Sequence, residues 1–177
     1  MVFYDDIYET ASDNYGLLTA AEARRMGISK KEISRLTRDG RLRRLGYGVY
    51  KIKHYTPTPL DPYAEAVALV GPDAYLFGES VLAMHGLVPT NPARIFVATP
   101  ARVRRTLLPS HIVCTRQKPE GETAYHEGIP TQSIPHAILS SRKTIMTDRL
   151  RYAVQEARRQ GLITEKEEGS LQKELSD

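Results

Sequence analysis

Apolar positions recur with helical spacing from the start of the chain. Phe3, Ile7 and Ala11 fall at i, i+4 and i+8, which predicts a first helix over residues 3–14. Thr19 followed by Glu22 reads as a capping box and opens a helix over Ala20–Met26, closed by Gly27. Ser29 and Glu32 repeat the pattern and open a helix over Lys30–Asp39, closed by Gly40. Leu42–Leu45 and Val49–Lys53 then read as two strands joined by a tight turn at Gly46-Tyr47-Gly48. Two short helices across a glycine turn, followed by a hairpin, make a winged helix-turn-helix.

Pro57, Pro59 and Pro62 interrupt the pattern and predict an extended linker over residues 54–62. It separates an N-terminal domain, residues 1–55, from a C-terminal one, residues 63–177. In the second part Pro62 starts a helix over Tyr63–Val70, and Ser80–His85 is a helix stopped by Gly86. Strands are expected at Arg94–Thr99, His111–Thr115 and Thr123–His126. Leu150, Ala153, Val154 and Ala157 form the stripe of a helix over residues 147–160. Thr164 and Glu167 cap a last helix with Leu171 and Leu175 on one face; it is acid-rich, and a marginal helix prone to fraying is expected. The fold class is α+β: a winged helix, then a body with a small sheet and several helices.

Charge sharpens this picture. Residues 20–53 hold eleven Lys and Arg against three acids, whereas the rest of the chain is acidic at the start and balanced thereafter. The whole excess of positive charge therefore sits on the helix-turn-helix and its hairpin, the footprint of a nucleic-acid-binding module. On a helical wheel, at about 100° per residue, Lys30, Lys31, Ser34, Arg35 and Arg38 share one face and Ile33 and Leu36 the opposite one. A face of this chemistry suits the major groove of double-stranded DNA, where Arg and Lys reach guanine O6 and N7. The expected DNA-binding residues are thus Ser29, Lys30, Lys31, Ser34, Arg35 and Arg38 on the helix. Arg41, Arg43, Arg44, Tyr47 and Lys51 join them on and beside the wing, for phosphate or minor-groove contacts.

Other chemistry finds no motif. Cys114 is the lone cysteine and sits in an apolar strand, as an inert thiol does. The five histidines form no H-E-x-x-H, and no nucleophile elbow, Walker loop or dinucleotide fingerprint occurs. No Asp or Glu is followed two positions later by Lys, as a magnesium-dependent nuclease strand requires. No catalytic residue, metal or cofactor is expected. His85 reads as a charge-favoured cap at a helix end, with partner contact as the alternative. Arg102, Arg104 and Arg105, with Arg94 nearby, read as a solvated loop or edge strand, with a second backbone contact as the alternative. No apolar run is long enough to cross a membrane. The first residues carry no secretory signal, so a cytoplasmic location is expected.

The stretch from Tyr15 to Ser29, together with Gly40–Tyr50, resembles the N-terminal winged helix of the AbiEi antitoxins of bacterial abortive-infection (type IV) toxin–antitoxin systems. Phe77–Leu87 is similar to that family's ES-x-x-x-x-HG segment, and Gly128–Pro135 to its following strand–helix step, so the likeness runs over roughly residues 15–163. The resemblance implies a repressor that binds operator repeats in its own promoter. It also implies a co-transcribed nucleotidyltransferase-like toxin, neutralised directly or indirectly by the C-terminal body. The alternative is a stand-alone winged-helix repressor whose body senses a ligand or dimerises. A body acting as an enzyme is a third, weaker reading.

Overall fold

The computed structural model describes residues 4–89 and 93–176. The chain is α+β, as its pattern predicts. Helix α1 (Tyr4–Ser12) buries Ile7 and Ala11; Phe3, expected beside them, lies outside the described residues. Helices α2 (Ala20–Arg25) and α3 (Lys30–Arg38) form where the two caps place them. Thr19 Oγ1 accepts from the Glu22 N–H at 3.2 Å, and the Glu22 carboxylate accepts from the Thr19 N–H at 2.8 Å. The second box is only half made. Ser29 Oγ accepts from the Glu32 N–H at 3.1 Å, but the Glu32 carboxylate turns toward Arg35, at 3.8 Å.

The wing strands β2 (Leu42–Gly46) and β3 (Val49–Ile52) pair antiparallel, with a bulge between Arg44 and Gly46. A third strand, unexpected from the sequence, is β1 (Leu17–Thr19), which pairs antiparallel with β3 and puts β3 in the middle of the sheet. In the body, α4 (Asp61–Val70) packs across a five-stranded sheet of order β6-β5-β4-β8-β7. Its strands are β4 (Tyr75–Leu76), β5 (Ile95–Thr99), β6 (Ile112–Arg116), β7 (Ala124–His126) and β8 (Ile129–Thr131). The pairs β5/β6 and β4/β8 are parallel; β4/β5 and β7/β8 are antiparallel. Helices α5 (Glu79–Met84), α6 (Ile134–Ser140), α7 (Thr147–Arg159) and α8 (Glu165–Glu174) complete it. The acid-rich α8 is held down: both partners of its capping box are engaged, and Leu171 and Leu175 are buried where it meets α6 and α7.

The small sheet has two buried faces. Along β1 and β3 successive side chains alternate sides, as strand geometry requires. Leu18 and Ile52 join Ile7, Ala23, Ile33 and Leu36 in the core of the winged helix, with Tyr50 packed against it. Leu17 and Val49 point the other way and belong to the core of the body, beside Ala64, Val67 and Leu76. The winged helix therefore shares a sheet with the body, and the proline-rich segment between them is a strap folded against both. Tyr8 donates its hydroxyl to the His54 carbonyl at 3.1 Å. The Thr58 N–H and hydroxyl both donate to Asp61 Oδ1, at 3.0 and 2.7 Å.

Lys51 ties this seam. Its ammonium lies 2.6 Å from Asp61 Oδ2 and 2.6 Å from Glu65 Oε1, with the Lys51 and Asp61 side chains nearly buried. Burial opposes both charges, but the hydrogen bonds between them prevail. They hold the Lys51 amine above its ordinary pKa and, with those from Thr58, the Asp61 carboxyl below its own. The sign follows for each group. Asp61 contributes stability that is present above its unfolded pKa of about 3.9 and is lost as pH falls through the lower folded value. Lys51 contributes stability that is present below about 10.4 and is lost as pH rises through the higher folded value.

Lys51→Met leaves Asp61 and Glu65 without their counter-charge and is expected to cost about 3 kcal/mol in urea unfolding. Stability within 1 kcal/mol of the parent protein would remove the seam from the energetics. A chain cut to residues 1–55 exposes Leu17 and Val49 and strips Lys51 of both carboxylates. It is expected to lose the cooperative thermal transition of the full chain; a sharp transition from the fragment alone would show that the shared sheet is dispensable.

Candidate nucleic-acid interface

The residues chosen from the sequence fall into distinct places. Ile33 and Leu36 are buried and Lys30, Lys31, Ser34, Arg35 and Arg38 exposed, so α3 presents the face that its wheel predicts. Between α3 and the wing runs a groove of about 600 Å³. Its polar lining comes from Arg24, Ser29, Lys30, Ser34, Arg44 and Tyr47, over a floor that includes Ala23, Ile28 and Ile33. A smaller hollow of about 380 Å³ beside α3 is lined by Ser29, Lys31, Glu32, Ser34, Arg35 and Arg38. Ser29 and Ser34 border both, so one helix surface carries cations toward two adjacent depressions.

Local bonds set what each side chain has to offer. Ser29 spends an oxygen lone pair on its cap and keeps its hydroxyl proton to donate. Ser34 donates to the Lys30 carbonyl at 2.9 Å, which leaves its oxygen as an acceptor. Arg35 lies 3.5 Å from Asp39 and 3.8 Å from Glu32; these exposed pairs are weak and yield to a stronger anion. Arg38 makes no ion pair among the described residues. Arg44 folds back along the wing, its Nε donating to the Gly46 carbonyl at 3.1 Å. Tyr47 stands at the tip, 81% exposed, between Gly46 and Gly48. Gly48 has a φ of +67°, which suits glycine at this turn.

Three expected site residues lie elsewhere. Lys51 is the clear correction: it points into the seam with the body and its ammonium is already held by two carboxylates, so it offers nothing to a phosphate. Arg43 pairs in register with Lys51, on the opposite face of the sheet from Arg44, and lines neither depression. Arg41 stacks on the Tyr4 ring, 5.0 Å from its centroid, where α1 begins. The sequence reading omitted Arg24. Its place at the end of α2, across the turn from Lys30, was the available signal.

The wing is also braced from behind. Gly46 lies against the tip of the Leu69 side chain of α4: a Cβ there would come within 2.5 Å of it, and Leu69 would have to move. Leu45 packs into the same core.

His85 and Cys114 line neither of these depressions. His85 is the C-cap of α5, but its ring packs at a tilt against that of His126, 4.3 Å between centroids. Burial, with a smaller push from His126, lowers its pKa to about 4. It is neutral at pH 7, so the expected charged cap is not what it provides. Burial pushes the Cys114 thiol up, against a smaller opposing pull from Arg105. Among the described residues no three His, Cys, Asp or Glu are grouped to hold a metal ion. Among those residues no helix is long and apolar enough to cross a membrane.

Three helices followed by a two-stranded wing, with a cationic groove between recognition helix and wing, define a winged-helix DNA-binding regulator. Residues 5–52 match the model of a family described as transcriptional regulators, the AbiEi antitoxins, which is the family that the motifs resemble. The match covers the winged helix and supports an antitoxin-type, DNA-binding regulatory role; the family is one of regulators rather than enzymes. No curated protein matches the chain.

Lys51→Met and Arg44→Gln separate the two kinds of wing cation. Arg44→Gln is expected to lower the slope of log affinity against log salt by about 0.9, one phosphate contact. Lys51→Met, assayed where it is fully folded, is expected to leave that slope unchanged. An equal loss in both would return Lys51 to the interface.

Proposed function

We propose that this protein is the antitoxin and autorepressor of an AbiE-like operon. The winged helix, residues 1–55, binds operator repeats in its own promoter. The body, residues 63–177, neutralises a nucleotidyltransferase-like toxin encoded alongside. No cofactor takes part. One observation carries the reading: the groove lined by Ser29, Lys30, Ser34, Arg44 and Tyr47 lies within the segment that matches an antitoxin regulator family. In this reading α3 enters the major groove, where Lys30, Lys31, Arg35 and Arg38 meet base edges and phosphates, while Arg44 and Tyr47 straddle the flanking backbone. The toxin and its neutralisation rest on the family likeness of the body's motifs.

Reversing charge at Arg35 and Arg38 together removes two cations from the recognition face. Two contacts of about 1–3 kcal/mol each predict a loss of about thirtyfold or more in affinity for the upstream DNA. The melting temperature should fall by only a few degrees: both side chains are exposed, and the exposed pairs of Arg35 with Glu32 and Asp39 are weak. Unaltered binding would mean that α3 is not the reading helix. Co-expression of the full chain with the toxin tests the second half. The doubly reversed variant is expected to lose repression and keep rescue. Failure of the parent chain to rescue would leave a stand-alone repressor.

A further inference from the structure

We propose that the cleft between the wing and the body binds a small amphipathic anion, with an oxyanion head on Arg102 and Arg104 and an apolar tail on the leucines beside them. Bound there, the ligand acts as an effector that weakens the hold of the wing on DNA. The binding itself rests on the cleft alone; the effector role rests on the reading of α3 and the wing as a DNA-binding surface.

The loop after β5 is neither an edge strand nor part of either sheet, and it ends in a short 3₁₀ turn, Arg105–Leu107. Guarding an unpaired strand edge is therefore not what its charge does. Arg94 lies at the opposite end of β5, roughly 17 Å along the strand at about 3.3 Å per residue, so it belongs to another surface. Arg102 and Arg104 are exposed, and neither makes an ion pair among the described residues. The same turn divides two leucines. Leu108 packs against the core of the body, while Leu107 is left 55% exposed. One short loop thus presents two guanidiniums and a leucine to water.

The cleft joins the two chemistries. Its volume of about 650 Å³ falls within the range of about 300–1,000 Å³ that small ligands occupy. It lies where the winged helix meets the body, between the root of the wing, the end of α4 and this loop, and small-molecule sites favour such junctions. Arg102 and Arg104 stand on one wall, and no Asp or Glu lines any part of it. Ala68, Leu69, Val103, Leu107 and Leu108 supply an apolar surface beside them. Guanidinium forks donate in pairs to carboxylate or phosphate oxygens, and the apolar surface takes the rest of the molecule out of water. An inorganic ion would leave the leucines unused, and a neutral hydrocarbon would leave the guanidiniums unused. The cleft is also preformed, since Lys51 ties the sheet to α4 through Asp61 and Glu65. Its other wall is Tyr47 and Gly48, and Tyr47 also lines the groove against α3. An anion held in the cleft therefore sits across the wing tip from that groove. It cancels two cations there and lowers the positive potential that a duplex meets.

Isothermal titration of the full chain, without DNA, tests the site with octanoate, octyl phosphate, octanol and inorganic phosphate. The two amphipathic anions are expected to bind one per chain, about tenfold or more tighter than octanol or inorganic phosphate. The tighter of the two identifies the head as carboxylate or phosphate. R102Q/R104Q and L107E are each expected to lose about tenfold or more in affinity for both anions. All three side chains are exposed, so both variants should melt within a few degrees of the parent. With a labelled upstream duplex, saturating anion is expected to lower the parent chain's DNA affinity about threefold in low salt and less in high salt. The affinity of R102Q/R104Q should not respond. Octanol or inorganic phosphate binding as tightly as the amphipathic anions overturns the site, and so does parent-like binding of the anions by R102Q/R104Q. Dimerisation of the parent chain that L107E abolishes gives the cleft to a second copy and overturns it too. Anion binding with duplex affinity unchanged overturns the effector role. Equal affinity of the anion-free chain for upstream and scrambled duplex overturns the promoter reading but not the site, which the titrations decide.

Discussion

The arrangement of this protein depends on a lysine that joins two parts of the chain. Lys51 lies on the central strand of the small sheet and meets Asp61 and Glu65 on the first helix of the body. Charges this well buried are costly unless paired and hydrogen-bonded. Once Lys51 is directed to that side of the sheet, the period of two sends Leu17 and Val49 into the body and Leu18 and Ile52 into the winged helix. A sheet buried on both faces cannot serve as a free wing.

That constraint reaches the cationic surface of α3 and the wing. In a lone winged helix the hairpin is fixed only by its own strands and the helices beneath it. Here its back rests on α4 through Leu45 and Leu69, and its tip forms one wall of a cleft whose other wall is the body. The groove against α3 is lined by winged-helix residues alone, but its outer wall is the hairpin that α4 backs. The seam has a second fastening in Tyr15, whose hydroxyl donates to the Glu127 carbonyl. Tyr15 and Glu127 are also the two described non-glycine residues held at positive φ. Backbone conformations of that kind persist where surrounding contacts over-determine them. Their hydrogen bond joins these two constrained positions across the seam.

The histidine pair shows how tertiary contact alters a reading that is sound locally. His85 ends a helix, where a cation would be favoured by the macrodipole. Strand β7 brings the His126 ring against it at a tilt, and burial removes the water that would stabilise a charge. Desolvation wins, and the residue works as a neutral packing group.

What the sequence by itself determined was local. The caps at Thr19 and Ser29, the apolar spacing of Ile33 and Leu36, and the glycine-flanked wing turn each act within a few residues. They placed the winged helix and most of its cationic face without knowledge of the rest. The long stripe of α7 and the cap of α8 were legible for the same reason. Strands β1 and β4 were not, because three and two residues are too few to show a period. Lys51 was assigned to DNA because a lysine among basic neighbours looks like surface; its partners lie ten and fourteen residues on, at the far end of a proline-rich strap. Arg94 and Arg102 look clustered in the sequence, yet the extended strand between them carries them apart. Those placements required non-local strand pairing and the burial of a sheet on both faces. Neither is written in any short window of sequence, and only the tertiary structure decided them.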